Sequence, residues 1–221
     1  MVIFMTKSST KSYLRYPLDA LLGNRGNVRV SRALMLYGAP LSVTQIAQET
    51  GMTPQGVRLV LDNLVGHGVV EVMGQGRTQL YSQKRGHPWV APLRGLFQLE
   101  QGLWTDLLKK LRALLEADSQ VTAAWLYGSV ARREDQPGSD LDLAVLLASK
   151  SDDGPVRTAL ETLENERHTP FSVICLTEED LIAGNISPEW WRSVLREGQQ
   201  LKGRSRPAFE QSPAATEPVT P

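Results

Sequence analysis

The sequence predicts an α+β fold in two parts. Three observations carry that prediction: helical segments followed by a strand pair before residue 87, a long apolar run at helical spacing from 87 to about 117, and alternating strands and helices after residue 118. Val28 to Tyr37 reads as a helix closed by Gly38, with a break at Ala39-Pro40. Ser42 opens a second, short helix with Gln45 three residues on, a capping-box arrangement that stops near Gly51. Thr53 as N-cap and Pro54 at the first helical position start a third helix, which runs through Val57, Leu61, Leu64 and Val65 to Gly66 or Gly68. Val69–Val72 and Thr78–Tyr81 read as strands around a glycine turn at Gly74-Gln75-Gly76.

The long run places Leu93, Leu96, Phe97, Trp104, Leu107, Leu108, Leu111, Leu114 and Leu115 at three-and-four spacing, the pattern of an amphipathic connecting helix. Beyond Asp118-Ser119 the reading is a buried strand Val121–Tyr127, a glycine turn, a strand Leu141–Leu147, a helix over about 156 to 166, a strand Phe171–Leu176, and helices near Glu178 and Pro188.

Composition narrows the classes. At 221 residues, with 41% hydrophobic and 22% charged, the chain has room for two modest cores. No segment approaches the roughly 18 uninterrupted apolar residues of a membrane span, so no membrane partner is expected. The opening Met-Val-Ile-Phe-Met is too brief for a secretory core, and Cys175 has no second thiol to pair with, so the expected location is cytoplasmic. Cys175 stands in an apolar run, where packing is its expected role. The formal charge of zero hides an asymmetry: residues 1–90 hold ten Lys and Arg against four Asp and Glu, a net of +6, which leaves −6 for the remainder. A basic front half suits a polyanion, because neutralised phosphates release counterions.

Ala47, Gly51 and Val57 have the mutual spacing of a helix-turn-helix: a small residue where two helices touch, a glycine at the turn, and a branched anchor on the second helix. Residues 20 to 85 thus resemble the winged helix-turn-helix regulators. The resemblance implies that the helix opening at Thr53 enters the major groove of double-stranded DNA. It would present Thr53, Gln55 and Arg58, with Gly56 permitting close approach and Arg77 on the wing. A homodimer through the leucine-rich connector would read paired half-sites, and a module for protein contact is the alternative use of such a fold.

The stretch Leu126-Tyr-Gly-Ser-Val-Ala-Arg-Arg-Glu-Asp-Gln-Pro-Gly-Ser-Asp-Leu-Asp-Leu-Ala-Val145 carries the chemistry. A strand ends at Gly128-Ser129 where a helix begins, so free N–H groups would face a phosphate. Asp140 and Asp142 alternate on a strand and project from one face, a pair suited to Mg²⁺, a hard ion that takes oxygen ligands. The pattern resembles the DNA polymerase beta-like nucleotidyltransferases, in particular their minimal forms. That resemblance implies a triphosphate on Gly128, Ser129 and Ser139, Mg²⁺ on the catalytic pair Asp140 and Asp142, and transfer of a nucleoside monophosphate from an NTP to an acceptor hydroxyl. It also implies a third carboxylate on a later strand, yet the matching position here is Ser172. Glu164 and Glu166 lie upstream, and Arg133 stands where many relatives have glycine.

The organisation expected is a winged helix-turn-helix over 16–86, a connecting helix over 87–118, a nucleotidyltransferase-type mixed sheet with helices over 119–203, and a disordered proline-rich tail over 204–221. Two functions stand beside each other: an NMP-transferring DNA-binding enzyme, favoured by the intact Gly-Ser and Asp-x-Asp, and a regulator whose second domain senses nucleotide, favoured by Ser172. Analogy alone adds a toxin-antitoxin or defence component. His67, His87 and His168 lack metal-ligand spacing, and one member of Trp190-Trp191 is expected in the core.

Overall fold

The computed structural model describes residues 12–76, 79–149 and 153–203. The tail over 204–221 and Arg77 on the expected wing lie outside the described residues. By contacts the chain divides into Met1–Leu103 and Trp104–Pro221.

In the first unit, α1 (Pro17–Leu22) precedes α2 (Arg25–Tyr37), whose N-cap Asn24 accepts from Asn27 N. The two-residue β1 (Leu41–Ser42) leads into α3 (Val43–Thr50). Ser42 and Gln45 form the capping box read from the sequence, and Gly51 closes α3 at φ 65, a left-handed conformation that a side chain would oppose. α4 (Pro54–Gly66) starts from Thr53, whose side chain accepts from Gly56 N. β2 (Val70–Met73) and β3 (Leu80–Gln83) pair antiparallel, with β1 on the other side of β3. Two elements escaped the sequence reading, α1 and β1; each is short, and β1 exists only because β3 offers it a partner. The hairpin strands also sit later than expected, with Val70 opposite Gln83 and Met73 opposite Leu80. α2, α3 and α4 bury Val30, Leu34, Ile46, Val57, Leu61 and Leu64, joined by Leu93 and Phe97 from the first half of α5 (Val90–Ala117).

The second unit holds the rest of α5, then β4 (Val121–Tyr127), α6 (Gly128–Arg132), β5 (Leu141–Leu147), α7 (Gly154–Arg167), β6 (Phe171–Thr177), α8 (Glu178–Ile182), α9 (Pro188–Glu197) and β7 (Gln199–Lys202). The sheet runs β6-β5-β4-β7, with β5 and β6 parallel and the other pairs antiparallel. β7 was not expected from sequence, since three of its four residues are polar and only Leu201 is buried.

Alternation splits the sheet into two packed faces. Leu141, Leu143, Val145 and Leu147 turn toward Leu111 and Leu115 of α5 and Val156, Leu160 and Leu163 of α7. Ala144, Leu146, Ala123 and Trp125 turn toward Trp191 and Val194 of α9. Each fully buried leucine here contributes about 1.5–3 kcal/mol of transfer free energy. Lys202 ties the edge strand to the end of α5, its Nζ donating to Leu115 O at 2.7 Å and Asp118 O at 2.9 Å, where a positive charge complements the helix dipole. Among the described residues no helix is long and apolar enough to cross a membrane.

Candidate functional site

Asp142 is the second residue of β5, between Leu141 and Leu143, which face the α5–α7 core. Its side chain therefore falls on the opposite face, at the end of the layer that α9 covers. Its neighbours across the ladders are Tyr127 on β4 and Ser172 on β6, both in register with it. The Ser172 hydroxyl donates to the Asp142 carboxylate. Burial raises the Asp142 pKa first and the Asp140 charge raises it further, while Arg132 and the Ser172 bond act against both. The same two carboxylates, after burial, push up the Tyr127 phenol, whose oxygen accepts from the Trp190 indole. Asp140 is exposed and Asp142 half-buried, so the pair reaches from solvent into the fold.

Gly128 brings the strand-end bend to the same place. A Cβ on it would lie 2.0 Å from Asp142 Oδ2, and its φ is +73. Two independent constraints thus demand glycine: a left-handed backbone and direct contact with a carboxylate. α6 begins at Gly128, so the N–H groups of its first turn lack helical acceptors. The helix ends on Arg133 at φ 61, a left-handed conformation that favours glycine. Arg132 pairs with Glu134 at 2.8 Å and Glu197 at 3.4 Å.

Of the residues singled out from sequence, Gly128 and Asp142 come together, with Ser129 next in line on α6; Asp140 lies one residue before β5 instead of on the strand as expected, near enough for its charge to act on Asp142. The Ser139 hydroxyl is engaged in its own turn, accepting from Gln136 N at 2.9 Å. Glu164 accepts from Phe171 N and Glu166 pairs with Lys110, and neither is among the charged groups that act on Asp142. Among the described residues no cluster of three His, Cys, Asp or Glu is placed to hold a metal. The donor set fits a single hard cation shared with a ligand's oxygens: two carboxylates that repel each other, opposed by one arginine already paired to two glutamates. Tyr127 and Trp190 were missed from sequence as parts of the site; Tyr127 reads as the last residue of an apolar strand, and of the tryptophan pair one member is expected in the core. Trp191 is indeed buried, edge-on to Trp125, while Trp190 meets Tyr127 edge-on at 5.4 Å.

The histidines and Cys175 take part in local packing and backbone contacts. His67 stacks on Tyr13, His87 Nδ1 accepts from Trp89 N, and His168 caps α7 at φ 52. Cys175 is partly buried on β6, and burial pushes its thiol up. On α4, Gln55 and Arg58 are exposed opposite the buried Val57, Leu61 and Leu64, and Thr53 is held as the N-cap.

Residues 109–206 match the family model described as "Polymerase beta, Nucleotidyltransferase". The match falls within the second unit, which is thereby similar to the nucleotidyltransferases. Among solved structures, the chain is similar to a toxin-antitoxin with AMP-PNP, at 21% identity over 44% of this chain and 73% of that one, TM-score 0.35. The AntR antimony-specific transcriptional repressor is similar at 25% identity over 43% of this chain and 85% of that one, TM-score 0.35. A third is the tri-AMPylated Shewanella oneidensis HEPN toxin in complex with MNT antitoxin, at 21% identity over 47% of this chain and 72% of that one, TM-score 0.31. No curated protein matches the chain.

Proposed function

We propose that the nucleotidyltransferase domain binds an NTP with Mg²⁺ on Asp140 and Asp142 and transfers its nucleoside monophosphate to an acceptor hydroxyl. The first unit, read as a winged helix-turn-helix, binds double-stranded DNA. The observation that carries the first half is the contact between Gly128 and the Asp142 carboxylate, beside the Asp140 charge. A bend that admits phosphate oxygens and a pair that admits a cation then stand side by side. Mg²⁺ supplies orientation of the phosphates and compensation of the charge developing at the transferred phosphorus. Gly128 and Ser129 offer backbone N–H groups to the phosphate oxygens, and Arg132 adds a positive charge at the end of α6. Tyr127, braced by Trp190, walls the carboxylate pair on the side of α9.

The second unit takes residues 119–203 in this reading, the DNA-binding module 16–86, and α5 connects them. Thr53, Gln55 and Arg58 on α4 are the groove-facing residues, because α4 opens on an N-cap and turns its polar face to solvent. The three-stranded sheet β1-β3-β2 behind three helices supports a winged module over a bare helical one.

A second reading has one specific observation in its favour. Ser172 stands beside Asp142, where a third carboxylate would serve as metal ligand or base, and a serine hydroxyl supplies neither charge nor basicity. A domain that binds nucleotide without turnover would then report nucleotide to the DNA-binding unit. The deciding experiment incubates the full chain with α-labelled NTPs, Mg²⁺ and cell extract. The enzyme reading predicts a labelled acceptor that disappears in Asp140→Asn with Asp142→Asn. Absence of label with every nucleotide, together with intact nucleotide binding, selects the sensor.

A further inference from the structure

α4 carries one side chain that its own fold does not explain. Val57, Leu61 and Leu64 anchor the helix in the core, yet Leu59 is 67% exposed on the opposite face. Gln55 stands one turn before it on that face, Arg58 beside it, and Asp62 after it, all exposed. With a rise of about 1.5 Å per residue, Leu59 lies roughly 6 Å beyond Gln55 along the axis, about two base-pair steps. Asp62 marks where the approach ends, since a carboxylate is repelled by phosphates; the first two turns are the ones that face the groove.

We propose that Leu59 reads the 5-methyl group of a thymine in the major groove. The proposal rests on the DNA-binding reading of the first unit and extends it to a base. A branched apolar side chain has no hydrogen bond to offer a base edge, and the methyl of thymine is the apolar group that the major groove presents. Gln55 and Arg58 supply polar contacts on either side, so the leucine is placed between groups that fix register and excludes water from the methyl it covers. On this account Leu59 determines specificity and contributes little to sequence-independent affinity, which comes from charge.

The test uses the full chain. Duplexes are selected by binding from a random library, and each thymine in the winning sequence is replaced singly by uracil, which lacks the methyl. Wild type should lose about fourfold affinity at one or two positions, the effect of uncovering one methyl. Leu59→Ala should lose a similar factor on the thymine duplex and be indifferent to uracil, while Leu59→Met should keep the discrimination. Equal wild-type affinity for thymine and uracil at every position, or unchanged discrimination in Leu59→Ala, would overturn the assignment even though DNA is bound. Failure to select any duplex, with no salt-dependent binding to any, would remove the DNA-binding reading itself and the assignment with it.

Discussion

Asp142 holds a negative charge where the fold disfavours one. Its pKa is raised by burial first and by Asp140 second. A carboxyl whose folded pKa exceeds its unfolded value favours folding below the unfolded pKa, and that advantage disappears as pH rises through the folded one. At neutral pH the ionised side chain therefore weakens the fold, as a carboxylate kept for a ligand would. Asp142→Asn should melt higher than wild type at pH 7, with the gap closing as pH falls below the ordinary carboxylate range. Thermal unfolding across pH 3 to 8 checks this, and a lower-melting asparagine variant at pH 7 would contradict it. Burial first and the same two charges after it raise the Tyr127 phenol, which should ionise at higher pH than a free tyrosine.

At the scale of elements, α6 is a five-residue helix joining the bend to the carboxylate strand, and it ends on a strained residue. Arg133 adopts φ 61, where Cβ crowds the backbone and glycine would not. Arg133→Gly should stabilise the protein by about 1 kcal/mol, read by denaturant unfolding. An unchanged or lower midpoint would show that the side chain compensates for its backbone. The same stretch shows what a sequence makes visible. β4 and β5 run from Val121 to Tyr127 and from Leu141 to Leu147 as apolar segments flanked by turn residues and broken only by Thr122 and Asp142, so both were legible to the residue. Ser172 beside Asp142 was legible too, because two parallel apolar strands leave little freedom of register. β1, β7 and α1 were not legible, since pairing with a distant strand or packing of one turn leaves no periodic trace. The Tyr127–Trp190 contact joins residues 63 positions apart on β4 and α9, which no local pattern records.

Across the whole molecule, the basic half and the acidic half hold different candidate sites: an exposed polar face on α4 in the first unit, and a carboxylate pair against a glycine bend in the second. Cores of ordinary composition make each unit, so the functional reading depends on a handful of side chains. The central claim is that this bend and these carboxylates hold one Mg²⁺-bound nucleotide. Calorimetric titration of the full chain with a non-hydrolysable NTP, with and without Mg²⁺, tests it most directly. The account predicts binding that requires Mg²⁺ and that falls at least about tenfold in Gly128→Ala, whose methyl group would displace the Asp142 carboxylate. Binding of equal strength without the metal, or unaffected in that variant, would contradict it.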